Sequence, residues 1–411
     1  MTLSPLTDTA HKRILIIGAG PSGLFAAECL AQKGYSVHLF DHMNRPGRKF
    51  LMAGRSGLNL THSEPLERFL ARYGKAQSWL EASLRAFPPQ SLIDWAENLG
   101  QPCFTGSSGR VFLKSLKASP LLRAWLQKLQ NLNVTFHPRH ELTALHTGTA
   151  SFQNESGPVS FAFDGCILAL GGASWSRLGS DGHWSRLFPT LCAPFEPSNC
   201  GFVPDWSPEF CLKHEGNLLK SVSLSFAGER ARGDLTLTRR GLEGAPLYAL
   251  SPLLREAVRQ AGSATLMMDF RPALSAEDIK DRLSHQRPRE SLSNRLRKGL
   301  RLDRFSASLI ARASGPETDP EQLAIRTKNC PLVLAATDTL DRAISSAGGL
   351  RFSALTDSFM LESRPGIFAC GEMLDWEAPT GGYLLQACFS TAFTASQGVE
   401  RWLSSSLSAR L

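Results

Sequence analysis

The segment 14–41 constrains the fold more than any other part of the chain, because it reads ILIIGAGPSGLFAAECLAQKGYSVHLFD. Its four apolar residues at 14–17 are typical of a strand that is buried on both faces. Gly18, Gly20 and Gly23 follow with the spacing G-x-G-x-x-G. Glycines at this spacing let the chain turn tightly and let a pyrophosphate approach the backbone at the N-terminus of a helix.

The residues after the glycines continue this pattern into a helix and a second strand. Apolar residues recur at helical spacing over 24–31, and Gly34 is placed to end the helix. The apolar run 37–40 then predicts a strand that delivers Asp41, whose carboxylate is placed to accept hydrogen bonds from an adenosine ribose. The segment predicts a βαβ unit with a dinucleotide on its first turn. A glycine-rich turn without a ligand is the alternative.

Composition and cysteine usage indicate an ordinary globular protein of two or three domains. The chain has 411 residues, of which 42% are hydrophobic and 20% charged. Since no apolar stretch reaches the length of a bilayer span, we expect a cytoplasmic protein without a membrane helix. The nine cysteines include no C-x-x-C pair, which argues against a disulfide framework and against a zinc site. We therefore expect no metal.

Most of the chain's net positive charge lies in one segment. Residues 280–312 contain ten Lys or Arg against three Asp or Glu, so this segment carries +7 of the total +8. A basic face of this kind favours an anionic partner such as RNA. A basic face that is merely solvated is the alternative.

The stretch 42–62 shows little regular apolar period, which predicts a long ordered loop. Because it leaves the strand that ends at Asp41, we expect it to contact the same ligand. Its cations can neutralise phosphates, and its polar side chains can donate hydrogen bonds to a ring or sugar. These residues are Arg48, Lys49, Arg55, Ser56, Asn59 and Thr61.

The remaining chain divides by its periodicity into helical and strand-like stretches. Helices are predicted over 64–132, especially 79–99 and 119–132, then over 247–260 and 275–315. Strands are predicted over 134–145, 159–169, 222–226, 235–238 and 332–336. The strand 159–169 runs into Gly171 and Gly172, and this pair allows a close backbone approach to a ligand.

The last motif, GIFACGEMLDWEAPTGGY at 366–383, predicts a further wall of the nucleotide site. A short apolar strand precedes Gly371 and Glu372, where a carboxylate can accept hydrogen bonds from a ribityl chain. Gly381 and Gly382 then open an apolar helix, whose N-terminus stabilises negative charge on an electron-poor ring.

Taken in this order, the motifs resemble those of flavoproteins with two dinucleotide-binding domains, in which both chain termini hold FAD. More narrowly, GRKFLMAGRSGLNLTH, LALGGASWSRLGSDG, TLTRRGLEG, FACGEMLD and TGGYLLQ resemble one family of bacterial three-domain flavoproteins. That family includes enzymes named aminoacetone oxidase, bile-acid double-bond reductase and ribosomal RNA dihydrouridine synthase. The resemblance spans nearly the whole chain.

The resemblance implies a Rossmann-like α/β fold with an inserted mostly-β domain and a small basic helical domain. The FAD-binding domain is expected at 1–191 and 346–411, the inserted substrate domain at 192–274 and 331–345, and the helical module at 275–330. The residues expected to bind FAD are Gly18, Gly20, Pro21, Ser22, Gly23, Asp41, Lys49, Arg55, Ser56, Asn59, Thr61, Gly171, Gly172, Gly371, Glu372, Gly381, Gly382 and Tyr383.

We therefore expect a FAD-dependent oxidoreductase that moves a hydride between flavin and a small or conjugated substrate. Because G-x-G-x-x-G occurs once, NAD(P)H as reductant has to dock transiently at the flavin face. The alternatives are reduction of a base in structured RNA and a non-enzymatic FAD-binding interaction protein. No catalytic residue is assigned: His183 and Cys200 are conceivable proton donors and Arg351 a conceivable anion contact, but a structural role is the commoner use of such isolated residues.

Overall fold

A computed structural model describes residues 12–54, 57–287 and 289–408. The chain forms two compact units, of which one runs to Glu196 and resumes at Ser345. The other unit consists of Pro197–Ile344. Buried apolar side chains form two core clusters in the first unit and one in the second.

The helices and strands are numbered in chain order. The strands are β1 (Arg13–Ile17), β2 (Ser36–Asp41), β3 (Asn59–His62), β4 (Cys103–Thr105), β5 (Arg110–Leu113), β6 (Thr135–Pro138), β7 (Glu141–His146), β8 (Thr149–Asn154), β9 (Gly157–Ala162), β10 (Gly165–Leu168), β11 (Cys192–Ser198), β12 (Phe202–Pro204), β13 (Leu218–Phe226), β14 (Glu229–Thr238), β15 (Gly241–Glu243), β16 (Ala264–Asp269), β17 (Cys330–Thr337), β18 (Ser345–Leu350) and β19 (Ile367–Ala369). The helices are α1 (Pro21–Ala31), α2 (Arg48–Ala53), α3 (Leu66–Ala71), α4 (Gln77–Ala86), α5 (Pro89–Asn98), α6 (Ala118–Asn131), α7 (Pro208–Lys213), α8 (Ala245–Ala249), α9 (Ser251–Ala261), α10 (Ala276–Ser284), α11 (Leu292–Leu300), α12 (Arg304–Ser314), α13 (Pro320–Lys328) and α14 (Tyr383–Ser408).

The first unit is built on a parallel sheet with the strand order β19-β10-β1-β2-β6. Its central strand β1 is buried on both faces. On one face Ile14 and Ile16 share a core cluster with α1 and α14, and on the other face Leu15 and Ile17 share a cluster with side chains of the sheet β7-β8-β9. Helix α1 connects β1 to β2 and packs against the long C-terminal helix α14. The predicted α/β Rossmann-like fold class is confirmed.

Several predicted elements differ from the observed ones. The expected loop at 42–62 contains α2 and β3, which are too short to show a periodic apolar pattern. The expected helix at 79–99 is two helices, because Pro88 and Pro89 interrupt the hydrogen-bond ladder between α4 and α5. The hairpin of β4 and β5 within 64–132 escaped prediction, and the expected strand at 134–145 is split into β6 and β7.

The second unit is a closed barrel with the strand order β12-β15-β14-β13-β16-β17. Apolar side chains of the barrel and of α10 to α13 belong to one buried cluster. The boundary of a separate helical module at 275–330 stays a prediction. Among the described residues, no helix combines the length and apolarity that a bilayer crossing requires.

Candidate functional site

The three glycines after β1 have different surroundings. Gly18 has φ +104°, and a Cβ there would lie 2.2 Å from the Ala169 carbonyl oxygen. A Cβ on Gly23 would lie 1.8 Å from the Gly18 carbonyl oxygen, so this glycine allows α1 to pack closely on the turn. A Cβ on Gly20 would meet no described atom within 4 Å. The backbone at Gly20 is therefore open to a ligand.

Helix α1 offers an uncapped N-terminus at this open position. Gly20 is the N-cap, Pro21 occupies the first turn, and no acidic side chain lies in that turn. Free N–H groups and the helix dipole at such a terminus attract an anion. A Cβ on Gly371 would lie 2.2 Å from the Ser22 hydroxyl oxygen, which shows that the N-terminal and C-terminal motifs meet here.

Asp41 lies at the end of β2 and binds the glycine turn. Its Oδ2 accepts a hydrogen bond from the Ala19 N–H at 2.6 Å, and its Oδ1 accepts one from the Met43 N–H at 2.7 Å. Burial raises the pKa of Asp41, and these two hydrogen bonds oppose the rise. Each oxygen keeps a lone pair, so the carboxylate can still accept a hydroxyl donor.

An ion pair joins three motifs that are distant in sequence. The Lys49 ammonium lies 2.8 Å from Glu372 Oε2 and donates to Ser174 Oγ at 2.8 Å. Glu372 Oε1 also accepts from the Ser346 N–H at 3.2 Å. A Cβ on Gly172 would lie 2.0 Å from Ser346 Oγ and 3.1 Å from Glu372 Cδ. The loop after β2, the middle glycine pair and the Gly-Glu motif thus form one cluster.

Strand β3 packs against the N-terminus of α14. The Thr61 hydroxyl is fully buried and donates to Gln386 Oε1 at 2.8 Å, and a Cβ on Gly382 would lie 2.4 Å from Thr61 Cα. Asn59 Oδ1 is buried and accepts no hydrogen bond from the described residues. The Thr61 hydroxyl serves a structural contact, whereas Asn59 Oδ1 is available to an external donor.

Tyr383 begins α14 and belongs to a polar cluster with β3. Its hydroxyl donates to Glu64, whose carboxylate also accepts from Arg72 Nε at 3.0 Å and Nη2 at 2.8 Å. The His62 and Tyr383 rings stack with their centroids 5.4 Å apart. Burial raises the pKa of Glu64, but the hydrogen bonds from Arg72 and Tyr383 outweigh it and bring that pKa below its usual value. Burial and then Glu64 raise the pKa of Tyr383, so the phenol stays protonated at neutral pH.

Of the remaining residues predicted to bind FAD, some lie in the first unit and others lie outside the described residues. The Gly171 carbonyl accepts a hydrogen bond from Trp184 Nε1 at 2.9 Å, and Gly381 packs on the Tyr383 ring. Arg55 and Ser56 lie outside the described residues. No assignment of these positions to a cofactor is tested by the contacts alone, so the set of FAD contacts stays a prediction.

The conceivable catalytic residues are distributed over both units. His183 is exposed beside Asp181, with its Nδ1 3.6 Å from the Asp181 carboxylate. Cys200 is fully buried in the second unit. Arg351 Nη1 donates to the Thr190 carbonyl at 3.2 Å. Within the described residues, no group of three or more metal-ligating side chains occurs.

Sequence reasoning missed several polar side chains of the site. These residues are Glu64, Arg72, Arg110, Ser174, Ser346 and Gln386. Ser174 and Gln386 lie within the motifs LALGGASWSRLGSDG and TGGYLLQ, and Glu64 follows GRKFLMAGRSGLNLTH by two residues. The others join the site through contacts between distant parts of the chain, which a single sequence does not display.

The sequence is similar to a described family and to characterised relatives. The family model "HI0933-like protein Rossmann domain" matches residues 12–398. The ribosomal RNA dihydrouridine synthase of Escherichia coli K12 is 25% identical over 400 residues, which cover 93% of this chain and 96% of that protein. The 3-dehydro-bile acid delta(4,6)-reductase of Clostridium scindens is 26% identical over 411 residues, covering 94% of this chain and 98% of the relative.

A solved structure shares the fold. The 3-ketosteroid delta1-dehydrogenase from Sterolibacterium denitrificans aligns with a TM-score of 0.53 and 13% identity. The alignment covers 94% of this chain and 99% of that one. At this identity the likeness concerns the fold alone.

Proposed function

The chain belongs to the HI0933-like family of FAD-dependent oxidoreductases, and we propose that it reduces a C=C bond conjugated to a carbonyl group. The observation that carries the proposal is the cluster of Lys49, Gly172 and Glu372, which joins three of the motifs that we assign to the flavin. The names of both relatives point to such a bond. Dihydrouridine is uridine reduced at C5=C6, which is conjugated to C4=O, and the delta(4) bond of a 3-dehydro-bile acid is conjugated to its 3-oxo group.

The residues present fit FAD. The open backbone at Gly20 and the uncapped N-terminus of α1 suit a pyrophosphate, and Asp41 suits a ribose hydroxyl. The free acceptor Asn59 Oδ1 suits an imide N–H such as that of an isoalloxazine. The bound flavin supplies hydride chemistry at its ring.

The protein's own groups fix the site in one arrangement. Lys49 and Glu372 neutralise each other, so this pair holds the loop after β2 against the Gly-Glu motif and leaves no net charge there. The N-terminus of α14 presents a positive dipole end, which stabilises negative charge on a neighbouring ring. Glu64 accepts a hydrogen bond from the Tyr383 hydroxyl and orients it, and burial together with Glu64 raises the pKa of this phenol.

Anaerobic photometry tests the proposal. We expect FAD-loaded protein to lose its absorbance near 450 nm with NADH or NADPH, and an α,β-unsaturated ketone to restore it in stoichiometric amount. A flavin that neither nucleotide reduces argues against a nicotinamide-linked reductase. A flavin that reduces but is not reoxidised by conjugated ketones or by uracil-containing RNA argues against the proposed reaction.

A base in structured RNA is the second candidate substrate, and the charge of the second unit favours it. Five arginines within residues 280–312 are exposed, namely Arg282, Arg287, Arg289, Arg301 and Arg304. Arg295 is not part of this exposed basic surface, because it is only 6% exposed and donates to the Thr318 carbonyl at 3.0 Å. Charge reversal at the buried Arg295 is expected to destabilise the fold, so a loss of RNA binding in that variant would not identify an RNA contact.

A salt titration decides this second candidate. We expect the triple variant Arg282→Glu, Arg289→Glu and Arg304→Glu to bind a structured RNA hairpin more weakly and with a shallower salt dependence. Reversal of exposed arginines in the first unit, at Arg68, Arg123 and Arg186, makes the same change in net charge and is the control. Equal affinities of both variants would exclude the basic segment as the RNA surface.

We also propose that the protein is located in the cytoplasm, which is a reducing compartment. The nine cysteines all lie in the described residues and form no disulfide, and burial raises the pKa of Cys166 and of Cys370. Protonated, buried thiols of this kind are unreactive small apolar groups. Thiol titration of the unfolded protein is expected to find nine free thiols without prior reduction.

A further inference from the structure

We propose that Arg110 binds the carbonyl oxygen of the conjugated substrate and is the residue that selects this substrate class. The inference rests on the proposed function. It goes beyond that function because it assigns a recognition group to a position that no sequence motif singled out.

Arg110 begins β5 beside the turn that leads into α14. It pairs with His62 of β3 across the antiparallel ladder. Its Nε lies 3.8 Å from the point where a Cβ on Gly381 would stand, and Gly381 has φ +134°. Arg110 Nε therefore lies near the backbone of Gly381, which also neighbours the Tyr383 ring, in the C-terminal motif that we assign to the flavin.

Unlike Lys49 and Arg72, Arg110 has no carboxylate partner among the described residues. Lys49 pairs with Glu372, and Arg72 pairs with Glu64. The half-buried Arg110 side chain forms no ion pair or hydrogen bond with any residue in 12–54, 57–287 or 289–408. A partly desolvated cation is costly without an anionic or strongly polar partner, so the site calls for an acceptor from a ligand.

The oxygen of an enone is an acceptor of this kind. During hydride addition the β-carbon gains a C–H bond, and the π electron pair moves towards the α-carbon and the carbonyl oxygen. The α-carbon then takes a proton from water, and the two electrons come from reduced FAD, which a nicotinamide dinucleotide reduces again. A guanidinium at the oxygen stabilises the charge that develops there, and it does so more strongly than it binds the neutral ketone.

Phenolate binding tests this role without turnover. The oxygen of 4-chlorophenolate resembles the enolate oxygen, and a phenolate stacked on oxidised flavin gives a long-wavelength charge-transfer band. We expect the FAD-loaded protein to show this band. Arg110→Gln is expected to bind the phenolate about 10–100-fold more weakly, because a hydrogen bond to a charged group is lost. Arg110→Lys is expected to retain part of the affinity.

Arg123→Gln on the exposed face of α6 is the matched control and is expected to leave the titration unchanged. The flavin reduction potential of Arg110→Gln is expected to equal that of the unmodified protein. A changed potential would place Arg110 on the flavin and overturn the proposal, as would an absent band or equal phenolate affinity in Arg110→Gln. If Arg110→Gln reduces enones at unchanged kcat/KM, the role of Arg110 is wrong while the proposed function still holds. If no enone reoxidises the flavin, the proposed function fails.

Discussion

At the residue scale, Gly20 separates the requirements of folding from those of ligand binding. A methyl group at Gly20 meets no described atom within 4 Å, and its φ of −80° suits any residue. We expect Gly20→Ala to leave the melting temperature of the apoprotein unchanged. The added methyl group stands where a pyrophosphate approaches the backbone, so FAD affinity is expected to fall about 10-fold or more. Fluorescence titration of apoprotein with FAD measures the loss.

Gly23→Ala is the comparison variant for this experiment. Its Cβ would lie 1.8 Å from the Gly18 carbonyl oxygen, so the turn and α1 have to separate. We expect a lower melting temperature of the apoprotein itself. Full FAD affinity in Gly20→Ala would show that no anion approaches this backbone.

The residues of the glycine turn were predictable because their spacing is local. Gly18, Gly20 and Gly23 depend on a turn of six residues, whose chemistry a sequence displays. The partners of Lys49 were not predictable, because Glu372 lies 323 residues further along the chain. Residue types therefore indicated the kind of ligand, while tertiary contacts decide which side chain meets which.

At the scale of elements, Thr61 connects β3 to α14, and this contact distinguishes a structural role from the predicted cofactor role. In Thr61→Val the shape is kept, but buried Gln386 Oε1 loses its donor. We expect the free energy of unfolding to fall by about 1–3 kcal/mol. Because the hydroxyl points to Gln386, FAD affinity is expected to change little. Urea denaturation and FAD titration measure the two effects, and a large loss of FAD affinity at unchanged stability would support the cofactor role of the Thr61 hydroxyl.

The pairing of β2 with β6 contributes to the free energy of unfolding in a pH-dependent way. His38 Nδ1 lies 3.1 Å from His137 Nε2, and burial together with His38 and His140 lowers the pKa of His137 to about 4. The unfolded chain takes up this proton near pH 6.5, so it binds more protons than the folded state between about pH 6.5 and 4. Stability therefore falls as the pH decreases through this window. We expect a loss of about 1–2 kcal/mol, since partial exposure of His137 screens the effect.

The variant His137→Phe isolates this contribution. It keeps an aromatic ring on Phe40, whose centroid lies 4.2 Å from that of His137, and it removes the titrating group. Urea denaturation at pH 7.5 and 4.5 is expected to show a smaller difference in unfolding free energy for this variant. Exposed His285→Gln is the control and keeps the original difference. The same difference in both variants would assign the pH effect elsewhere.

The predictability of elements follows their length and the range of their contacts. β1, α1 and β2 were found because a buried strand, a glycine turn and an apolar helix follow one another directly. α2 has six residues and β3 four, too few for an apolar period, so the sequence pattern predicts a loop there. Such short elements are held by neighbours rather than by their own propensity, which explains why sequence patterns overlook them.

At the scale of the whole molecule, the candidate FAD site draws all its described residues from the first unit, which the chain forms before and after Pro197–Ile344. The ends of the second unit are adjacent, since the Asn199 carbonyl accepts a hydrogen bond from the Ile344 N–H at 3.3 Å. Replacing this unit by a short Gly-Ser linker is therefore expected to leave FAD affinity within about threefold, a change below 1 kcal/mol. Residues 197–344 alone, with their own core, are expected to unfold cooperatively. Calorimetry of the fragment measures the cooperativity of its unfolding, and FAD titration of the shortened chain measures its affinity. If the shortened chain shows native circular dichroism but does not bind FAD, the second unit helps to hold the cofactor.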